Sequence, residues 1–320
     1  MKKLTIEEAI DLLATGEAIA IPTETVYGLA ADATCDEAVS KIFKAKGRPS
    51  DNPLIVHIGH FDQVNDLILE VPERAKVLMD LFWPGPLTVI LPCSEKISKL
   101  VTAGLDSVGL RMPSHPMALK LLQISRIPLA APSANVSGKP SPTCADHVIH
   151  DLTGRIPGVI DGGVCGVGLE STVIDMTAQT PIILRPGGIT RSQIEAVIGP
   201  VEVSSGSSEQ PKSPGMKYTH YAPDAEVILV RGDAAFFKSQ LDYYKHLGIK
   251  VGVLCLDSRK ETYASAAVVH GIGNRGNNLY AALRDFDAKG VDLVLCEFFD
   301  DDAIMNRLMK ASEGRILEKV

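Results

Sequence analysis

Long apolar runs are missing from this 320-residue chain. No stretch of about 18 apolar residues exists to span a bilayer as a helix. The first residues, MKKLTIEEAIDLLATGE, lack the apolar core of a signal peptide. No two of the six cysteines (Cys35, Cys93, Cys144, Cys165, Cys255 and Cys296) lie within a C-x-x-C spacing, and no Cys/His cluster has zinc-finger form. Reduced thiols and a cytoplasmic location are therefore expected, with each cysteine a small core residue rather than a nucleophile. Positive charge is short as well. The formal net charge is −7, and most of the acidic excess falls in residues 1–203. This excludes a global basic field for polyanions and leaves room only for a local one, built from Lys46, Arg48, Arg111 and Arg185.

What is there is an ordinary globular composition, 45% apolar and 22% charged, at a length that favours two domains, each able to bury its own core. Apolar periodicity predicts a helix over 4–15, with Thr5 as cap and Glu8 three residues on. It predicts a short buried strand at 18–22 and a helix over 36–47, capped by Asp36 and stopped by Gly47. PLIVHI (53–58), LTVILPC, SVGLRMP and IPLAAPSAN read as strands. FDQVNDLILEVPERAKVLMDLFWPG reads as two helical stretches broken near Pro72, and HPMALKLLQISR as a helix started by His115. GVIDGG, STVIDMT and PIILRPG are short strands closed by turn residues, and ITRSQIEAVIG is a last helix. Several strands follow one another without a helix, which predicts a mixed α/β sheet. Residues 204–223, SSGSSEQPKSPGMKYTHYAP, break the pattern as a linker does, yet Lys217, Tyr218, His220 and Tyr221 crowd its end. From 224 to 320, strand and helix alternate as a small, largely parallel, Rossmann-like domain.

Chemistry-bearing residues fall at strand ends and in loops. The sharpest set is KGRPSDNP. Lys46 and Arg48, either side of Gly47, can converge on a polyphosphate, with Arg48 as a fork, Lys46 as a point charge and Asn52 adding an amide. The plainer alternative is a solvated loop. PTETVYGL (22–29) offers Thr23, Thr25 and Tyr27, or merely a turn. Arg111 and Arg185 each end an apolar strand, where a cation is either paired internally or faces an anionic ligand. APSANVSGKPSPT (131–143) presents Ser133, Asn135 and Ser141 with backbone groups suited to a nucleotide. Its Gly138-Lys139 is no Walker loop, since the spacing is absent and Pro140 follows, so ATP would be held without one. LESTVID adds Ser171 and Thr172. Residues 271–276 match G-x-G-x-x-G, but in the third unit of their domain, and read as a glycine-rich turn.

PTETVYGL, KGRPSDNPLIVHI, FWPGPLTVIL, VGLRMPSHP, PSANVSGKPSPT, STVID and LRPGGIT occur in that order over residues 20–190. The ordered set resembles the YrdC domain. The linker SPGMKYTHYAP and the α/β tail resemble the longer, two-domain branch of threonylcarbamoyl-AMP synthases. The resemblance implies a twisted, mixed, open sheet with helices over 1–203, a lid over the active site at 204–223, and a smaller C-terminal Rossmann-like α/β domain at 224–320. It implies formation of L-threonylcarbamoyl-adenylate and pyrophosphate from L-threonine, CO2 or bicarbonate and ATP. Mg2+ would accompany ATP, and the product would pass to the tRNA threonylcarbamoyl transferase machinery. It implies threonine contacts at Thr25, His57, Arg111, Ala131 and Ser171. ATP contacts would be Arg48, Asn52, Ser133, Asn135, Ser141, Arg185 and Tyr221, with Lys46 and Arg48 as catalytic cations. The alternative is an RNA-binding module of the same fold. The acidic balance and the lack of basic or stacking-aromatic stripes argue against it, and limit direct tRNA contact to a weak one.

Overall fold

The computed structural model describes residues 1–204, 212–213, 221–273 and 276–319. The chain divides into two compact units. Unit 1 takes residues 1–137 and 141–217, and unit 2 takes residues 138–140 and 218–320. Most of the stretch 204–223 that was expected to form a lid, including Lys217, Tyr218 and His220, lies outside the described residues.

The strands of unit 1 are β1 (Lys2–Lys3), β2 (Ile19–Ile21), β3 (Gly28–Asp32), β4 (Ile55–His57), β5 (Leu87–Pro92), β6 (Ser107–Arg111), β7 (Leu129–Ala130), β8 (Gly158–Val159), β9 (Thr172–Asp175), β10 (Ile182–Arg185) and β11 (Glu202–Val203). Its helices are α1 (Ile6–Ala14), α2 (Asp36–Lys46), α3 (Asp62–Leu67), α4 (Glu73–Phe82), α5 (Lys99–Thr102), α6 (Pro116–Ser125), α7 (Ala145–Leu152) and α8 (Arg191–Ile198). The strands form one mixed sheet in the order β1-β8-β2-β3-β7-β4-β6-β5-β9-β10-β11.

Local chemistry accounts for most boundaries. Thr5 accepts from the Glu8 amide and Glu8 accepts from the Thr5 amide, which closes a capping box at the start of α1. Asp36 is the first helical residue of α2 and not its cap. Cys35 holds the cap position without a side-chain hydrogen bond, while Asp36 and Glu37 complement the positive end of the helix. Gly47 stops α2 at φ 63°, a conformation that costs glycine nothing. His115 caps α6, as its place before the helix predicts. β3 and α7 are additions to the sequence reading. GLAAD is a weak strand former, and its extended state rests on antiparallel pairing with β2 and β7.

The sheet is covered on both faces. In β2, Ile19 and Ile21 pack with Leu13, Leu121 and Leu122 beneath α1 and α6. Ala20 points the other way, into the larger core with Val39, Ile42, Val56 and Leu78. That is why this strand reads as a continuous apolar run.

Unit 2 holds β12 (Glu226–Arg231), β13 (Val251–Leu256), β14 (Val268–Ile272), β15 (Leu293–Glu297) and β16 (Ile316–Glu318). Its helices are α9 (Ala234–His246), α10 (Leu279–Ala288) and α11 (Asp302–Ala311). The sheet order is β14-β13-β15-β12-β16 and its pairings are parallel, the Rossmann-like outline expected. Glu297, at the end of β15, accepts from the Tyr263 hydroxyl (2.6 Å), Arg259 (2.9 Å) and the Leu256 amide (3.2 Å). Gly271 of the G-x-G-x-x-G stretch is a packing requirement. A Cβ there would lie 2.3 Å from Asp257 Oδ1.

Candidate functional site

The middle of the unit 1 sheet brings distant residues to one edge. β4 and β6 are parallel, with His57 opposite Arg111. β5 runs antiparallel to β6, so its first residues reach the Arg111 end. β9 starts beside β5, with Leu87 opposite Thr172, and β10 ends there, with Arg185 opposite Val173. His57, Arg111, Thr88, Ser171 and Arg185 thus emerge together from five strands.

Arg111 is buried, 4% exposed. Its Nε donates to the Gly85 carbonyl (3.2 Å) and one terminal nitrogen to Thr25 Oγ1 (2.9 Å). The other terminal nitrogen lies 2.7 Å from Glu24 Oε1, an ion pair without hydrogen-bond alignment. Thr23 shapes the turn that offers Thr25. Its hydroxyl accepts from the amides of Thr25 and Val26 (3.2 Å each) and donates to the Val26 carbonyl (2.6 Å). Thr23 is therefore a turn former. Tyr27 is structural too, its hydroxyl engaged with the Gly163 carbonyl and the Gly162 amide.

Beside Arg111, burial and then the guanidinium charge push the His57 pKa down to about 3. The imidazole is neutral at ordinary pH, and its Nδ1 has no hydrogen-bond partner. Asn52, fully buried on the loop entering β4, leaves both amide atoms unpaired, and Glu24 leaves both carboxylate oxygens without a hydrogen bond. Each such group costs about 1–3 kcal/mol when nothing fills the role of water. Those of His57 and Glu24 beside one buried arginine mark a place built for polar partners that the chain does not supply.

Arg185 is held against the start of β9. Its Nε and a terminal nitrogen donate to the Ser171 carbonyl (3.2 and 3.1 Å), and the latter also to Ser171 Oγ (3.2 Å). Ser171 Oγ lies 2.7 Å from Thr88 Oγ1. This arrangement depends on Gly187. A Cβ there would sit 2.3 Å from the Glu170 carbonyl, so the loop after β10 closes on residues 170–172 only with glycine.

Lys46 ends α2 rather than standing in a loop. Its buried ammonium donates to the carbonyls of Ser133 (2.5 Å) and Asn135 (2.7 Å) and fastens that segment to the helix. A bridge from Gly28 to Ser133 and a bond from the Ala131 amide to the Ile55 carbonyl (2.9 Å) fix it further. Ser141 donates to Glu170 Oε1 (2.6 Å). Arg48 is half-buried and donates to the carbonyls of Asn52 (3.1 Å) and Pro53 (3.4 Å). Tyr221 belongs to unit 2. It is buried at φ 68°, its ring 5.4 Å from that of Tyr280 and 5.8 Å from the Arg307 guanidinium.

Sequence reasoning missed Glu24, Thr88 and Glu170. The signal for Glu24 was present: one carboxylate in a turn of small hydroxyl residues between two apolar strands. Thr88 gave none, since a threonine in LTVILP reads as ordinary strand filling.

A family profile described as telomere recombination (Sua5–YciO–YrdC) matches residues 11–187. One described as the threonylcarbamoyl-AMP synthase C-terminal domain matches residues 189–313. The chain is 52% identical to the threonylcarbamoyl-AMP synthase of Bacillus subtilis, over 98% of this chain and 94% of that one. It is 47% identical to that of Pyrococcus abyssi, over 98% and 95%. The crystal structure of P. abyssi Sua5 complexed with L-threonine superposes with a TM-score of 0.93 at 45% identity, covering all of this chain and 98% of that one.

Proposed function

The chain belongs to the threonylcarbamoyl-AMP synthase family, and we infer that its activity is the synthesis of L-threonylcarbamoyl-adenylate and pyrophosphate from L-threonine, CO2 or bicarbonate and ATP. The family relationship favours this over an RNA-binding module. The observation that carries it in the fold is the pair of buried groups without hydrogen-bond partners, His57 Nδ1 and the Glu24 carboxylate, beside Arg111.

Threonine's carboxylate is assigned to Arg111, whose guanidinium is pre-aimed by Gly85 and Thr25. Neutral His57 offers Nδ1 to the substrate's hydroxyl or amine. Ser171 and the backbone around Ala131 complete the seat. Arg48, Asn52, Ser133, Asn135, Ser141 and Arg185 are assigned to ATP, with Lys46 holding the Ser133–Asn135 segment in register. Tyr221 is assigned to the nucleotide as part of a lid that keeps water from a labile mixed anhydride.

The threonine amine attacks CO2, and the carbamate oxygen then attacks the α-phosphorus of ATP. The bond to the β-phosphate breaks and pyrophosphate leaves with its electron pair. No covalent protein intermediate is required. The barrier lies in bringing anions together, which buried cations and fixed donors lower. Mg2+ would accompany ATP and would supply charge neutralisation on its phosphates. The product would pass to the tRNA threonylcarbamoyl transferase machinery in the cytoplasm. Among the described residues no helix is long and apolar enough to cross a membrane.

The test is chromatography of a reaction holding protein, ATP, Mg2+, L-threonine and bicarbonate, with each substrate omitted in turn. A new adenylate with pyrophosphate, formed only when all three substrates are present, is the expected result. ATP turnover independent of threonine would point to another acceptor on the same fold.

A further inference from the structure

A free amino acid brings two charges into a buried site, and Arg111 answers only one of them. An ammonium group taken out of water needs an anionic partner as much as a carboxylate needs a cation. Among the described residues, Glu24 is the mostly buried carboxylate whose two oxygens accept no hydrogen bond. It lies against the arginine assigned to the substrate's carboxylate, 2.7 Å away, with its side chain 12% exposed. The buried carboxylates elsewhere in the fold are engaged: Glu170 by Ser141, Asp175 by Lys212 and Thr177, and Glu297 by three donors. Thr25, the next residue, accepts from Arg111 through its hydroxyl oxygen, so both residues of the turn face the same guanidinium. The backbone of Glu24 is fixed as well, its carbonyl accepting from the Val167 amide at 2.7 Å.

We propose that Glu24 receives the ammonium group of the substrate and takes the first of its protons, so that the freed amine can attack CO2. The inference rests on the assignment of threonine to Arg111. A zwitterion carries its charges on neighbouring atoms of a single α-carbon, and the Glu24–Arg111 pair presents the complementary charges equally close together. The substrate therefore inserts with its carboxylate on Arg111 and its ammonium on Glu24, and four charges sum to zero in a buried place. The N–H bond breaks toward a Glu24 oxygen, leaving the lone pair on nitrogen. The new N–C bond forms as one C=O pair of CO2 shifts onto oxygen. The adduct gives its remaining extra proton to water and becomes the carbamate, and Glu24 returns its own proton to solvent. The charged and titratable groups facing Glu24 are Arg111 and the Cys165 thiol, which burial and then the Glu24 charge push up to about 12, so that it stays neutral.

The test compares the full chain with Glu24→Gln, which keeps shape and removes charge, and with Glu24→Asp, which keeps charge. Calorimetry with L-threonine and with 3-hydroxybutyrate, the same skeleton without the ammonium, separates this role from a structural one. Glu24→Gln is expected to weaken threonine by about thirtyfold or more and to tighten 3-hydroxybutyrate, whose lone carboxylate then meets Arg111 without a competing anion, while Glu24→Asp recovers part of the loss. In turnover, kcat/KM of the unaltered chain is expected to be flat from pH 7 to 9. That of Glu24→Gln should climb about tenfold per unit, as the free amine becomes available without a base. Equal weakening of both ligands, or threonine binding as in the unaltered chain, would overturn the proposal. Threonine failing to bind even the unaltered chain would overturn the underlying assignment, and the proposal with it.

Discussion

Glu24 of unit 1 and Glu297 of unit 2 are both mostly buried carboxylates beside an arginine. Glu297 accepts from a tyrosine, an arginine and a backbone amide, whereas the oxygens of Glu24 accept from none. A carboxylate satisfied from within its own unit fixes the ends of strands and helices around it. One left unsatisfied carries a cost that folding alone does not recover, and its return comes with a ligand. Two mostly buried carboxylates thus separate into structure and function by one criterion, whether the chain itself completes the hydrogen bonding.

Substitutions should divide along the same line. The largest effect is expected at Arg111. Arg111→Lys keeps the charge but loses the fork and the bond to Thr25. It should lower kcat/KM for threonine about a hundredfold while the unfolding temperature moves by a few degrees at most. Glu297→Gln should do the reverse. Loss of a charged acceptor for three donors is expected to cost about 2–3 kcal/mol in denaturant unfolding and to leave the threonine KM within about twofold. Activity lost with Glu297, or stability lost with Arg111, would erase the distinction.

Acid sharpens it further. His57 is held neutral by burial, with a pKa near 3 in the fold, against about 6.5 when unfolded. Below pH 6.5 the unfolded chain binds a proton that the folded chain refuses. Stability should therefore fall by about 1.4 kcal/mol per pH unit from 6.5 down toward the folded value, and be unaffected above it. His57→Gln should flatten that limb in a series of unfolding curves from pH 7 to 4. Retention of the full slope would place the acid sensitivity elsewhere. A smaller effect is expected at Asn52. Asn52→Leu removes two unpaired polar atoms, so stability should hold or rise by about 1 kcal/mol while the ATP KM increases about tenfold. A loss of stability there would show that the amide has structural partners after all.

Much of the frame could be read from the sequence because its causes are local. The Thr5–Glu8 box, the Gly47 stop, the break at Pro72 and the His115 start each depend on residues a few positions apart. The edge that carries His57, Arg111, Ser171 and Arg185 was legible only as apolar strands ending in polar residues. Which strands are neighbours is a long-range matter that spacing does not encode, and the ordered family motifs supplied it. Glu24 stayed hidden because a lone carboxylate in a turn is ordinary. Only its burial beside Arg111 makes it unusual. Lys46 falls in the helix expected over 36–47, but its charge was aimed at a polyphosphate, whereas its ammonium donates to the Ser133 and Asn135 carbonyls.

The most direct test of the central claim, that the unsatisfied edge of unit 1 is the seat of threonine, is hydrogen exchange read by peptide, with and without L-threonine. The account predicts slowed exchange in peptides covering residues 24–28, 55–58, 109–112 and 171–173. Peptides over residues 293–297 should be unchanged, and the whole effect should be lost in Arg111→Lys. Protection confined to unit 2, or protection of the unit 1 edge that survives undiminished in Arg111→Lys, would contradict it.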